Sequence, residues 1–477
     1  MPEKNNILSA LPSRERIDLA MGVFGTLALG SIVFLFQSPV LLLAILFAIS
    51  GLALFLLGRA YFAVAIYLLL PFSFEIQIAS STRITAPTEI LIPLLFLLYF
   101  ADLIQSRGKI QYRPSPINIP IMLLYFLMIG SLAVSQAPIS TVKALIRDTG
   151  YIFTGFYLIP RYIQAEKQLK TFVFGSLIAH SLLILYGFAT QAMGGIRIYA
   201  NIAGPFFVEH CIYAAFITMT FAFLLAYYLD MDYSPIRNAA GALTGIFLLA
   251  IVLTFVRAAW ISISAMLLYY LFQFRHRRSS VEIILALIAL MLFSAATITF
   301  TDFGQLFLQR IETITDFKYV ANYDRLDRWY SAIAMWKDHP YFGVGWGAYP
   351  DVYYSYQQFP DAYSARIRMG AHNLYLELLA ETGLAGLILF ALTIFTFFQQ
   401  AIYCQGRTQS RFQRIFIIGM QGAMITYLVH AFLNNLGPSD KIGLTFWLFL
   451  GMIPALRQFV EMEKNQTTGA NGMMNDE

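Results

Sequence analysis

Between Leu243 and Phe274 the chain runs for 32 residues with a single charged side chain, Arg257. At about 1.5 Å per residue a helix of that length exceeds one hydrocarbon core of roughly 30 Å. The simplest solution is two membrane spans joined by a tight turn, with Arg257 at the turn. Similar apolar runs recur along the sequence, and in lipid only helices and closed barrels satisfy every backbone polar group. Uninterrupted runs of about 20 apolar residues select helices. The expected class is therefore an all-α polytopic integral membrane protein. Composition agrees: 12% of residues are charged, against roughly a quarter in soluble domains.

Apolar runs mark about fourteen spans, and no fewer than twelve. They lie near 17–37, 39–58, 60–79, 88–105, 116–135, 145–163, 171–192, 205–229, 238–256, 258–274, 281–300, 376–400, 414–436 and 441–457. Alternate connections are basic. One set carries 19 of the 32 Lys and Arg residues, the other six, and the long loop near 301–375 the remaining seven. Short basic loops stay in the cytoplasm and long loops report topology poorly. Both termini are then expected in the cytoplasm, with one long, partly helical loop on the far side of the membrane.

The net charge of +5 sits in those short loops, so it signals topology and not nucleic-acid binding. The two cysteines, Cys211 and Cys404, read as inert thiols. The polar N-terminus leads into a first span without a small-residue cleavage site, as in an uncleaved helix. The tail 458–477 reads as a disordered cytoplasmic segment. No internal repeat is visible.

Arginines gather where lipid should be. Arg257 sits at the helix–helix turn, and Arg197 lies in the short Gly-rich loop "MGGIRIYANIAGP". Arg325 and Arg328 in "NYDRLDRWYSAIAMW" are three apart on one face of an amphipathic helix, with Trp329, Ala332 and Trp336 on the packing side. Asp324 and Asp327 offer local ion pairs. An arginine inside a span is costly and marks a functional pathway, and its planar fork suits phosphate oxygens. The ligand such a cluster fits is a phosphate or pyrophosphate on a lipid.

The stretch "RMGAHNLYLELLAETG" then places polar residues at the mouth of an apolar run. Asn373 is a candidate N-cap, and Asn373, Glu377 and Glu381 fall on one stripe. His372 precedes the cap and projects from the loop, one of six histidines in the chain. Histidine is the side chain best matched to general-base work near neutral pH. No second histidine or cysteine stands at metal-ligand spacing, so neither metal nor cofactor is expected. The loop is rich in aromatic residues: Trp329, Trp336, Trp346, Tyr353, Tyr354, Tyr356 and Tyr363. They could stack on sugars or pack the loop at the interface, and the sequence leaves both readings open.

Taken in order, "GGIRIYANIAGP", "TFVRAAW", "RLDRWYSAIAMWKDHPYFGVGWGAY" and "AHNLYLELLAETGLAGL" resemble the O-antigen ligase and polymerase superfamily of bacterial envelope glycosyltransferases. The resemblance is strongest over about 195–435. It divides the chain into N-terminal helices 1–194, a catalytic membrane region 195–457 with the loop 301–375, and the tail 458–477. It implies an inverting, metal-independent transfer of a glycan from polyprenyl (undecaprenyl) pyrophosphate to a sugar hydroxyl at the periplasmic face of the inner membrane. It also implies that His372 is the base or acceptor-orienting residue, and that Arg197, Arg257 and one or both of Arg325 and Arg328 hold the pyrophosphate. Asn373, Tyr375, Glu377, Glu381, Trp329 and Trp346 then support the site. A ligase would use an acceptor such as a lipid A core sugar in lipopolysaccharide, and a polymerase a second lipid-linked repeat. The alternative of another class is a secondary anion transporter. It fits less well, because the arginines gather at one face and no Gly/Pro-broken spans recur in matching halves.

Overall fold

The computed structural model describes residues 59–79, 82–107, 113–194, 200–232, 234–277, 281–285, 320–359, 363–437 and 439–474. Helices dominate, and among the described residues seven are long and apolar enough to cross a membrane. The spans expected near 17–37 and 39–58 lie outside the described residues, as does the one near 281–300 beyond Leu285. The contacts divide the chain into two units. One comprises 1–113, 152–213 and 444–455, the other 114–151, 214–443 and 456–477.

In the first unit, α1 (Arg59–Leu69) is followed by a single tight turn through Phe72 and then by a hairpin of β1 (Phe74–Ala79) and β2 (Thr82–Ala86). The hairpin is antiparallel, with Ile76 opposite Ile84. The expected span near 60–79 is therefore half helix and half strand. Pro71 cannot continue a helix, and the "FEIQIA" after it alternates apolar and polar residues at the strand period. Two long helices follow the hairpin in this unit, α2 (Thr88–Gln105) and, later in the chain, α5 (Glu166–Gly194). Helix α5 packs on α1 through Gly175, where a Cβ would meet Leu68 at 2.8 Å, and through the Tyr67 and Phe172 rings 4.9 Å apart. A second short antiparallel pair joins β3 (Ala200–Ala203) to β4 (Phe207–Glu209). Small strands thus punctuate an otherwise helical architecture.

The second unit contains α3 (Asn118–Gly130), α4 (Pro138–Tyr151) and most of α6 (His210–Asp230), together with α7 (Pro235–Leu253), α8 (Arg257–Gln273), α9 (Val320–Asp338), α10 (Leu374–Gln405) and α11 (Arg411–His430). The span expected near 145–163 begins earlier, at Pro138, and its continuation past Tyr151 is a π-helical stretch, Ile152–Leu158. The last helix, α12 (Asp440–Met474), extends past the apolar segment into the polar tail.

The 32-residue apolar run does divide. Helix α7 ends at Leu253 and α8 opens at Arg257, with Phe255 at φ +56° in the turn. Helix directions follow from side-chain bonds near the far end of α8. The Tyr269 hydroxyl donates to Gln421 at 2.5 Å, and the Gln405 amide donates to Gln273 at 3.0 Å. Just beyond, Asp230 bridges Arg277 at 2.7 Å and Arg411 at 2.6 Å. Helices α8 and α10 therefore run one way and α11 the other. The N-termini of α8 and α10 and the C-terminus of α11 share one end of the unit.

At that end α10 is kinked at Gly383, which adopts φ +66°. A kink frees backbone groups that must be satisfied elsewhere. The "HPYFGVGWG" turn does this. Val344 donates to the Ala380 carbonyl at 2.9 Å, Gly345 to that of Glu381 at 3.1 Å, and Leu384 donates back to Pro340 at 3.0 Å. Any side chain at Gly383 would collide with the backbone of Tyr341.

Candidate functional site

The arginine pair lies on α9. The buried face of this helix is formed by Asp327, Arg328, Ser331, Ala332 and Met335. Arg328 thus points inward, although sequence periodicity offers Trp329 and Trp336 for that side. Among the described residues Asp327 does not pair with an arginine. Its carboxylate accepts the backbone amides of Gln358 (2.7 Å) and Phe359 (2.6 Å) and the Tyr353 hydroxyl (2.6 Å), fixing the aromatic loop to the helix.

Arg328 is 5% exposed. Its Nε donates to the Asp324 carbonyl at 3.2 Å, and one terminal nitrogen makes a long contact, 3.9 Å, to the Met369 sulfur. Among the described residues no carboxylate forms an ion pair with it. Burial lowers its proton affinity from the ordinary arginine value, as expected of a cation removed from water. An unpaired buried charge costs several kcal/mol, a cost that a bound anion would offset.

His372 lies in the loop before α10. Its backbone is left-handed, φ +50°, a sparsely populated region for a residue with a side chain. Its neighbours on both sides hold it there. Ala371 donates its amide to Glu377 at 2.8 Å, Leu374 donates to the Ala431 carbonyl at 2.9 Å, and the Asn373 side chain caps the amides of Tyr375 (3.0 Å) and Leu376 (3.1 Å). The ring is half-buried, and its pKa is pushed down to about 3. Burial is the first cause, and the positive charges of Arg328 and then Arg325 add to it. The imidazole is therefore neutral across the physiological range and sits within the field of both guanidiniums.

Arg257 is the first residue of α8, and so lies at the same end of the unit as the start of α10. Arg197 lies outside the described residues.

Residues 242–391 match the family model described as O-Antigen ligase. That stretch belongs to the O-antigen ligase superfamily. A search among curated proteins returns no match to the chain. The ligase-family region holds Arg257, Arg325, Arg328 and His372 together with α8, α9 and the kinked start of α10.

Within the O-antigen ligase region the remaining expected residues are mostly structural. Glu381 is buried and accepts the Tyr349 amide at 3.1 Å. Trp346 donates its indole N–H to Asp148 at 2.7 Å, and its own amide bonds Ser131 at 3.0 Å. Tyr375 donates to the Leu428 carbonyl at 2.8 Å and lies 4.3 Å from the Phe432 ring. The indole nitrogen of Trp329 is buried and meets no hydrogen-bond partner among the described residues. The two readings of the loop aromatics divide by residue: Tyr353 is fully buried in the loop core, whereas Tyr354 and Tyr363 are exposed. Sequence reasoning missed Asn435, whose side-chain amide donates to Glu377 at 2.6 Å. The signal available was the polar doublet in "HAFLNNLG", immediately after an apolar run.

Proposed function

We propose that the chain is a membrane glycosyltransferase of the O-antigen ligase type, moving a glycan from polyprenyl pyrophosphate to a sugar hydroxyl. The observation that carries this reading is the buried Arg328 guanidinium, which forms no ion pair among the described residues and lies close enough to lower the basicity of the His372 imidazole. A sugar–pyrophosphate bond breaks with charge accumulating on the leaving diphosphate. Preorganised guanidiniums stabilise that charge without donating a proton. Arg328 and Arg325 supply it on our reading, joined by Arg257 and Arg197. The acceptor hydroxyl loses its proton to His372 as its oxygen attacks the anomeric carbon from the face opposite the diphosphate. One glycosidic bond forms as one sugar–phosphate bond breaks, and the configuration inverts.

The depressed basicity of His372 also fits. An arriving diphosphate offsets the positive field that disfavours imidazolium, so the base strengthens only once the donor is bound. On this reading the chain is bacterial, sits in the inner membrane with both termini cytoplasmic, and works at the periplasmic face over residues 195–457. The acceptor would be a lipid-carried sugar such as a lipid A core. A polymerase extending a second lipid-linked repeat uses the same chemistry.

The test is transfer by the purified protein in nanodiscs, from a synthetic polyprenyl-pyrophosphate oligosaccharide, with and without acceptor. H372A is expected to lose roughly 10²–10⁴-fold in rate while remaining folded. Wild-type transfer by H372A would overturn the assignment. Uptake of an anion into vesicles without any glycan transfer would favour a transporter.

A further inference from the structure

The His372 turn is held by a carboxylate whose second oxygen belongs to another part of the chain. Glu377 is buried one turn into α10. Its Oε2 accepts the Ala371 amide at 2.8 Å, and its Oε1 accepts the Asn435 side-chain amide at 2.6 Å. Asn435 lies in the loop after α11, 58 residues away in sequence and beyond the matched region 242–391. The loop containing Asn435 is therefore joined to the peptide that precedes His372 through one carboxylate.

Gly370 gives an independent view of the same arrangement. A Cβ there would meet the Asn435 amide nitrogen at 2.5 Å and Glu377 Oε2 at 2.8 Å. Its backbone is not in the left-handed region, so the need for glycine is purely steric. The chain leaves room at 370 for this pair of side chains and for nothing else.

We infer that Asn435 is a positioning residue for His372: acting through Glu377, it fixes the left-handed turn that aims the imidazole. This rests on the proposal that His372 takes the acceptor proton. Asn435 touches neither donor nor acceptor in this account. It supplies the donor that keeps one carboxylate oxygen occupied, leaving the other for Ala371. A base displaced by about 1 Å loses on the order of 10²-fold in rate, so the expected signature falls on kcat and not on the KM for the donor.

Reversing the polarity of the pair tests this. E377Q keeps an oxygen for Ala371, and Asn435 can turn its own oxygen toward the new amide, so only a few-fold loss is expected. N435D sets two carboxylates against each other and should lower kcat by about 10²-fold, with the donor KM little changed. In E377Q/N435D the glutamine oxygen accepts from Ala371 and its nitrogen donates to the carboxylate introduced at position 435. The swap should recover most of the kcat lost in N435D, which additive effects forbid.

G370A, which alters neither partner, should resemble N435D, and it serves equally if N435D does not accumulate as folded protein. Wild-type kcat in N435D or G370A, or a swap no better than N435D, overturns the inference. H372A run alongside separates the two claims. If H372A is fully active, the assignment of the base fails and this inference with it. If H372A is inactive but the swap pattern is missing, this inference alone fails.

Discussion

The arginines of the second unit are used in two ways. At the end formed by the C-termini of α6 and α8 and the N-termini of α7 and α11, arginines meet carboxylates. Asp230 takes Arg277 and Arg411, and Glu282 takes Arg237 at 2.5 Å. Near His372, Arg147 and Arg368 likewise pair, with Asp148 and Asp351 at 2.8 Å each, but Arg328, buried more deeply than any of these, forms no ion pair among the described residues. A paired arginine has its charge matched within the fold, whereas Arg328 does not; on the proposed reading the first kind fastens helices and the second receives an anion.

The largest expected effect breaks this comparison outright. If His372 and Arg328 act together, H372A and R328M should each lose about 10²-fold or more in transfer. D230A, at the other end, should leave the specific activity of folded protein near wild type. Equal losses at both ends would show that the arginine pattern does not separate function from fastening. R328K is expected to lie close to R328M, because an ammonium cannot fork two phosphate oxygens.

A second measurement sharpens the same contrast through stability. Removing a buried cation that forms no ion pair relieves its desolvation, so R328M should unfold at the wild-type temperature or above it in the absence of donor. D230A removes a largely buried carboxylate from two guanidiniums and should cost about 1–3 kcal/mol. Thermal unfolding in detergent reads both. Inorganic pyrophosphate should raise the wild-type midpoint, its binding adding about 2.7 kcal/mol of stability at a hundredfold excess over its Kd, and should leave that of R328M unmoved. A pyrophosphate shift that survives in R328M would place the anion elsewhere.

How far the sequence foretold this arrangement differs between its parts. Long apolar runs translate directly into α2, α10 and α11, and the length of the 243–274 run was enough to require the turn before Arg257. Periodicity failed where one apolar run served two purposes. The stretch near 60–79 has a span's composition, but Pro71 and the alternation after it make a hairpin. At the site, the Asn373 cap was legible because an N-cap is local chemistry. The role of Asp327 was not: adjacent arginines suggested ion pairs, while its real partners are backbone amides about thirty residues on. Asn435 was hidden for the same reason. Contacts between distant segments leave no periodic trace, and a lone polar residue in a loop announces nothing about its partner.

The smallest expected effect concerns pH and isolates the field of the arginines from their contacts. On the proposed mechanism His372 acts as the base in its neutral form, and its pKa of about 3 in the free protein lies well below the ordinary value of about 6.5. Protonation therefore removes activity only in strong acid, and kcat/KM should show no histidine limb between about pH 5 and pH 8. Burial is the leading cause of the depression and the two guanidiniums follow, Arg325 last. R325Q takes away one positive neighbour and leaves the turn that holds His372 intact, so the pKa must rise and the acid limb move toward neutrality. The shift is expected to be small, since burial persists. A limb that moves toward lower pH in R325Q, or one near pH 6.5 in the wild type, would mean that the imidazole lies outside the field of the arginines. The distinction drawn between the two uses of arginine would then rest on Arg328 alone.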